Sequence, residues 1–548
     1  MTTTAASLPS YDVVVLGGGL AGLTLALQIL QQRPHTTVLV LERKAHPLRE
    51  AAHKVGESTV EIGAHYFTRV LGQLEHFRKD QLPKLGLRYF FDAQDPADIT
   101  TRTELGGNTF FPTESYQIDR GRFENHLGVE VLAAGGHFVP GAVVSTVMLG
   151  ERGASHGVDF IAPGAVEPTH VSARWVVDAS GRASLLKRKL GLAKRNGHSA
   201  NSSWWRYDRR LKVDDLSDDP TWTGRAGGSR QRWLSTVHFC GAGYWLWFIP
   251  LSSGSHSVGI VVDDELHPFG TIATYEKSMA WIRKFEPQAA AHLEAAIAQG
   301  AQLQDFLALK DYSYSCTQLY DTNRWALTGE AGAFLDPFYS PGSDYISISN
   351  TFVADLVLRE LGGERIGART SVYNRVFFNF YENHMSLYEG QMHMFGDPKV
   401  MPLKIIWDFA YYWIMPAAFF FHGRLTDLTL FAERKEELDA TGDLNRAVQA
   451  LFREWHAAGV KTAPVFVNMS GIPFMHDLNR SLRDELDRDQ FGERLTANIA
   501  NLKQLAAELY AEARRDVPGI ESALLNALPI APVRILDTVL PILQQGAE

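Results

Sequence analysis

The 548-residue chain carries a net charge of −9, with 45% hydrophobic and 21% charged residues. That is enough apolar material for a large core in more than one lobe, and the mixed charge offers no basic stripe for phosphates, so nucleic acid is excluded as an expected partner. Cys240 and Cys316 lie far apart and form no CxxC pair, so neither a disulfide framework nor a metal site is expected and a reducing cytoplasm is the expected location.

The opening segment, MTTTAASLPS, is polar and lacks the apolar heart of a signal peptide. Tyr11 to Leu16 then reads as a buried parallel strand. A glycine cluster follows, the pattern turns helical up to Pro34, and a second strand from Thr37 to Leu41 ends on Glu42. Strand, glycine turn, helix, strand and acidic end, in that order, form a dinucleotide-binding βαβ unit. Gly17, Gly19 and Gly22 make its GxGxxG. Glycine there lets the backbone approach a pyrophosphate, whose charge meets the free N–H groups at the helix start. Glu42 is placed to accept hydrogen bonds from a ribose, and its carboxylate disfavours a 2′-phosphate.

Residues 54–91 read as mostly helical, with 82–91 leading into an extended segment. Alternating runs near 88–175 and 230–262, such as HFVPGAVVSTVML and HSVGIVV, suit an antiparallel sheet. Trp175 to Asp178 and Trp325 to Thr328 are short apolar strands through which the chain re-enters the first lobe. Beyond about residue 365 the periodicity is helical. The most apolar stretch there, FAYYWIMPAAFFF, has 13 residues and contains Pro416. A bilayer span needs about 20, so a buried or pocket-lining helix is expected and membrane contact is disfavoured.

Three segments carry a family resemblance: the N-terminal fingerprint, VVDASGR at Val176 to Arg182, and GEAGAFLDP at Gly329 to Pro337. Together they resemble the FAD-binding segments of the aromatic hydroxylase class of flavoproteins. The resemblance implies FAD as cofactor and an α/β fold. It predicts a GR2-type FAD-binding Rossmann-like domain over residues 1–365, with antiparallel β-sheet substrate-lobe insertions at roughly 88–175 and 200–320 and a helical C-terminal region over 366–548. YQIDRGRF, at Tyr116 to Phe123, is similar to the segment that makes Arg120 a cofactor contact. The other implied contacts are Gly17, Gly19, Gly22, Glu42, Arg43, Ser58, Asp178, Gly329, Glu330 and Gly342. Glu330 stands where that class usually has aspartate, which lengthens the ribityl contact by one methylene.

Within the class, YWLWFIP at Tyr244 to Pro250 resembles the GWxWxIP signature of flavin-dependent halogenases, with Tyr244 in place of the glycine. The resemblance gives Trp245 and Trp247 the task of screening the flavin from the organic substrate. HKVGES at His53 to Ser58 is similar to a second family segment, and KLGLRYFF then offers Lys84 as the family's essential lysine. A lone lysine is ordinarily a solvated surface residue; its flanking motifs make Lys84 the catalytic candidate. Its ammonium can polarise hypohalous acid, or its neutral amine can be halogenated, and either route carries the oxidant to a ring. DPFYSPGSDYI resembles the segment that binds halide, which assigns Ser340, Pro341 and Gly342 to the halide. Proline brings no N–H, so one donor is missing. Tyr339 stands where tryptophan halogenases carry a carboxylate, which favours a phenol or pyrrole over indole; Asp344 and Glu57 are alternative carboxylates.

The implied activity is halogenation of an electron-rich aromatic, free or carrier-bound, by reduced FAD, dioxygen and chloride or bromide. With no second dinucleotide fingerprint, a separate flavin reductase is the expected partner. An aromatic monooxygenase or dehydrogenase, in which Lys84 has no task, is the alternative. A non-catalytic flavin-binding protein is a second, for which Tyr244 and Pro341 are the departures.

Overall fold

Val13 to Leu16, three valines and a leucine, are completely buried; a strand hidden on both faces is the pattern of a parallel sheet. The Ser10–Leu16 strand accordingly pairs in parallel with Val38–Glu42 on one side and Thr169–Asp178 on the other. The computed structural model describes residues 9–544 except 53, 92–94, 152, 460–462 and 530. His53, which opens the HKVGES segment, therefore lies outside the described residues, as do the first eight.

The parallel sheet continues through His137–Pro140 at one end and Trp325–Leu327 at the other, with Tyr320–Asp321 antiparallel at that edge. A hairpin of Val143–Met148 and His156–Ile161 is attached antiparallel to Thr169–Asp178. The helix Leu20–Gln32 buries every residue from Leu20 to Leu30, and it packs against the helices Arg120–Ala133 and Gly342–Leu361. Asp119 caps the first of these, accepting from the amides of Gly121 and Arg122 at 3.1 and 3.2 Å. All of this belongs to one compact unit made of Met1–Asp80, Ile118–Asn196 and Ser313–Asn379.

The second unit comprises Gln81–Gln117, Gly197–Tyr312 and Phe380–Glu548. Its sheet runs in the order Leu303–Leu309, Ala200–Tyr207, His256–Asp263, Tyr244–Pro250, Thr236–Gly241, Leu87–Phe91, Thr103–Gly106, Phe466–Asn468. Period-two alternation splits its side chains between two faces. Val237, Phe239, Leu246, Phe248 and Ile260 join a buried core that takes in Met279 and Ile282 of the helix Tyr275–Phe285 and Leu293 of Pro287–Ala298.

The run HFVPGAVVSTVML, read as part of a substrate lobe, falls in the first unit's sheet. Alternation reports a half-exposed hairpin and is blind to which sheet the hairpin joins. The helical tail from Phe380 groups with the second sheet. Its most apolar stretch continues the buried helix Val400–Tyr412 into a π-helical turn, Trp413–Ala417, that contains Pro416. Among the described residues no helix is long and apolar enough to cross a membrane.

Candidate active site

The expected contacts of a nucleotide come together in the first unit. Gly17 adopts φ +116°, and a Cβ on it would stand 2.3 Å from the carbonyl oxygen of Ala179. A Cβ on Gly22 would stand 1.9 Å from the Gly17 carbonyl oxygen. Both glycines are required by the turn itself. Gly19 differs, because a Cβ there meets only the Lys54 Nζ, at 3.9 Å. Gly19 is also the extended N-cap of Leu20–Gln32, and no side chain caps it. The helix therefore presents its first amides to an open cradle beside Lys54 that suits a diphosphate.

Glu42 ends its strand beside this turn. Its Oε2 accepts from the Gly18 amide and its Oε1 from the Lys44 amide, both at 2.7 Å, so the carboxylate is oriented before any ribose arrives. Arg43 next to it is exposed. Arg120 donates from Nη1 to the Val55 carbonyl at 2.6 Å and pairs with the buried Glu124, which also pairs with Lys54. The two cations hold the Glu124 carboxyl below its usual range although burial pushes it up. Glu330 is raised by burial and pulled back by Arg182, Arg120, Lys54 and Lys187. Lys54, Arg182 and Lys187 were not among the expected contacts, although Lys54 and Arg182 stand inside the quoted motifs. Asp178 is fully buried and spends its carboxylate on the Ser180 amide and hydroxyl, at 3.0 and 2.6 Å, and on the Leu186 amide at 2.7 Å. It shapes the turn after its strand.

The expected halide residues also lie in this unit. Ser340 takes φ +58° and its hydroxyl donates to that of Ser58 at 2.9 Å. Pro341 is the N-cap of Gly342–Leu361, without a side-chain cap bond, and Gly342 is exposed. Asp344 accepts from the Gly63 amide at 2.8 Å, which gives this carboxylate a structural partner.

Lys84, Trp245 and Trp247 lie in the second unit. Lys84 is only 2% exposed, far from the solvated lysine that a lone occurrence suggests. Its main chain is gripped from both sides. Its amide donates to the Ser115 carbonyl at 2.9 Å, the Leu85 amide to Leu234 at 3.1 Å, and the Thr236 amide to Gly86 at 3.1 Å. Gly86 takes φ +65°, a turn that glycine adopts without strain.

Strand register sets Trp204, Gly259, Trp247, His238 and Tyr89 in one row across the second sheet. Trp247 donates from Nε1 to the Ser257 hydroxyl at 3.2 Å. Trp245 and Trp247 lie 5.4 Å apart, His238 is 5.3 Å from Trp245, and Tyr89 stacks on His238 at 4.6 Å. His238 was not foreseen; only its register opposite Trp247 could have marked it. Its imidazole is pushed down to about 3, chiefly by burial, with the Lys84 charge adding to the effect, so it is neutral at physiological pH. Tyr244 belongs to the opposite, core-facing side of the sheet. Its hydroxyl donates to Glu286 at 2.8 Å, and Arg102 chelates the same carboxylate at 3.1 and 2.6 Å. On the tail, Trp413 meets Phe111 edge-to-face at 5.2 Å.

A sequence profile described as tryptophan halogenase matches residues 92–375, just over half of the chain, and one described as an NAD(P)-binding Rossmann-like domain matches residues 15–80. The chain belongs to the tryptophan halogenase family. It is an FAD-dependent enzyme of the flavin-dependent halogenase type. A flavin-dependent halogenase of Dictyostelium discoideum is 24% identical over 74% of this chain and 70% of its own length. A 1H-pyrrole-2-carbonyl-[peptidyl-carrier protein] chlorinase of Pseudomonas fluorescens is 26% identical over 61% of this chain and 72% of its own. The halogenase PltM shares the fold, with a TM-score of 0.66 at 18% identity over 92% of this chain and 96% of that one. The Gly19 cradle, the oriented Glu42 and the surrounding cations fit the diphosphate and ribose of the family's FAD.

Proposed function

We propose that this member of the family halogenates an electron-rich aromatic ring, a phenol or pyrrole, free or carrier-bound, with hypohalous acid carried by Lys84. The observation that supports this most is the burial of Lys84 in a main-chain grip, in the unit that also holds the Trp245 and Trp247 face. Burial alone assigns no task, since the equally buried Lys399 and Lys404 pair with Asp516 and Asp408; the KLGLRYFF segment around Lys84 is what sets it apart.

FAD, when bound and reduced, supplies the electrons with which dioxygen and halide become hypohalous acid. The groups that would hold it are Lys54 and the amides after Gly19 for the diphosphate, Glu42 for the ribose, Gly329 and Glu330 for the ribityl chain, and Arg120 as a further contact. Ser58, Ser340 and the start of the helix at Gly342 hold the halide, with Pro341 contributing shape and no donor. Lys84 then acts in one of two ways: its ammonium hydrogen-bonds the hypohalous oxygen so that it leaves as water, or its amine takes the halogen and passes it on. In both, a carbon–halogen bond replaces a carbon–hydrogen bond and the oxygen departs as water. Tyr339 in place of a carboxylate leaves ring activation to the substrate, which favours a phenol or pyrrole over indole. The expected partners are halide, a separate flavin reductase and the aromatic substrate, in the cytoplasm.

The test is incubation with FAD, a flavin reductase, bromide and a panel of phenols, pyrroles and indoles. The bromine isotope doublet is expected on phenols or pyrroles. A product heavier by one oxygen, independent of halide, would make the chain a monooxygenase; no product from any member of the panel would contradict the substrate class.

A further inference from the structure

Two segments of the first unit, Asp178 to Lys189 and Gly329 to Phe334, are tied together by Lys187, Arg182 and Tyr314. The Asp178 carboxylate receives the Leu186 amide at 2.7 Å and so anchors the short helix Leu185–Lys189. That helix carries Lys187, which is 5% exposed. Its Nζ donates to the Gly332 carbonyl at 3.0 Å and lies 3.9 Å from the centre of the Tyr314 ring. Tyr314 in turn donates from its hydroxyl to the Glu330 carbonyl at 2.7 Å, and it exchanges both backbone hydrogen bonds with Phe334, at 3.1 and 2.8 Å. Arg182 covers the rings of Tyr314 and Phe334 at 5.3 and 5.6 Å and reaches the Glu330 carboxylate at 3.9 Å.

The carbonyls of residues 330 and 332 are thus both held from outside the turn. The turn itself begins on Gly329 at φ +59° and closes on the Gly329 carbonyl, which accepts from the Gly332 amide at 3.0 Å. A buried ammonium is unfavourable unless it is hydrogen-bonded or faces an aromatic ring, and Lys187 has both compensations in this one turn. Burial brings it down to about 8, with Cys316 and Asp178 opposing and Arg182 and Arg188 assisting.

We propose that Lys187 and Tyr314 are positioning residues that hold the Gly329–Phe334 turn in the form that receives the flavin. The inference rests on the reading of Gly329 and Glu330 as flavin contacts. Neither residue is assigned a contact with the cofactor: both act through the backbone of the turn.

The test uses the full chain and three variants, Lys187→Met, Lys187→Arg and Tyr314→Phe. FAD affinity is read by fluorescence titration, the bound flavin by its visible absorption band, and the flavin-free protein by its melting temperature. Lys187→Met and Tyr314→Phe are expected to weaken FAD binding by about tenfold or more and to shift the visible band, beyond what the modest fall in the flavin-free melting temperature from one lost hydrogen bond accounts for. Lys187→Arg, which restores a donor and a cation, is expected to recover most of the affinity. Variants that bind FAD as tightly as the wild type and with its spectrum would overturn the proposal, as would losses that merely follow a lowered melting temperature. A wild-type chain that binds no FAD would overturn the flavin reading itself, an outcome distinct from unaffected variants of a flavin-binding parent.

Discussion

Trp247 lies flat against Gly259 on the neighbouring strand, so closely that a Cβ on the glycine would come within 2.1 Å of the indole Cζ2. The glycine is the seat that fixes the indole, and the Ser257 hydroxyl bonded to its Nε1 fixes the rotation. Gly259→Val should therefore displace Trp247. Overpacking of this kind costs about 1–3 kcal/mol, and halogenation should fall much further than stability. Denaturant unfolding and product formation, measured on the same preparation, check the two separately.

Gly19 and Gly22 should respond differently to the same added methyl. Gly22→Ala drives a Cβ into the Gly17 carbonyl and should yield little folded protein. Gly19→Ala meets only the end of Lys54; the chain should fold with a normal melting temperature, yet bind FAD about tenfold more weakly, or about 1.4 kcal/mol, because the methyl occupies the diphosphate cradle. Fluorescence titration with FAD distinguishes the two.

These glycines also show what the sequence could disclose. The glycine turn of Gly17, Gly19 and Gly22 and the strand end at Glu42 were legible because each is local: one turn, one helix start and one strand end. Trp245 and Trp247 were legible for a similar reason, since a single strand carries both. His238 and Tyr89 were not, because only strand register brings them beside those indoles, and register is a property of the sheet. Lys54, Arg182 and Lys187 were overlooked because a lysine or arginine near a glycine motif looks like any other surface cation. The HFVPGAVVSTVML segment alternates as a substrate-lobe strand would, yet both of its strands belong to the first unit's sheet.

Tyr244, where the halogenase signature has glycine, should prove structural. Its hydroxyl supports Glu286, which Arg102 chelates. Removing it in Tyr244→Phe should cost about 1–2 kcal/mol, while Tyr244→Gly, which restores the signature, leaves a cavity and should cost about 3–5 kcal/mol. Both should leave the position of halogenation unchanged. Thermal unfolding and product analysis test this.

His238 should give acid lability a specific source. Burial lowers its imidazole from the ordinary 6.5 to about 3, so between those values the unfolded chain binds a proton that the folded one refuses. Its contribution is fully present above pH 6.5 and is lost as pH falls toward 3, with a slope of about 1.4 kcal/mol per pH unit. His238→Gln should remove that slope. Urea unfolding of both proteins from pH 7 to pH 4 measures the difference.

Whether Lys84 carries the halogen is read from bromide-dependent product mass in Lys84→Met compared with wild type at equal FAD occupancy. A flavin-loaded variant is expected that consumes reduced flavin and dioxygen as the wild type does and yields no brominated ring, a loss of at least about a thousandfold, or about 4 kcal/mol of barrier. A flavin-loaded Lys84→Met that still brominates the same ring position at a comparable rate would contradict it.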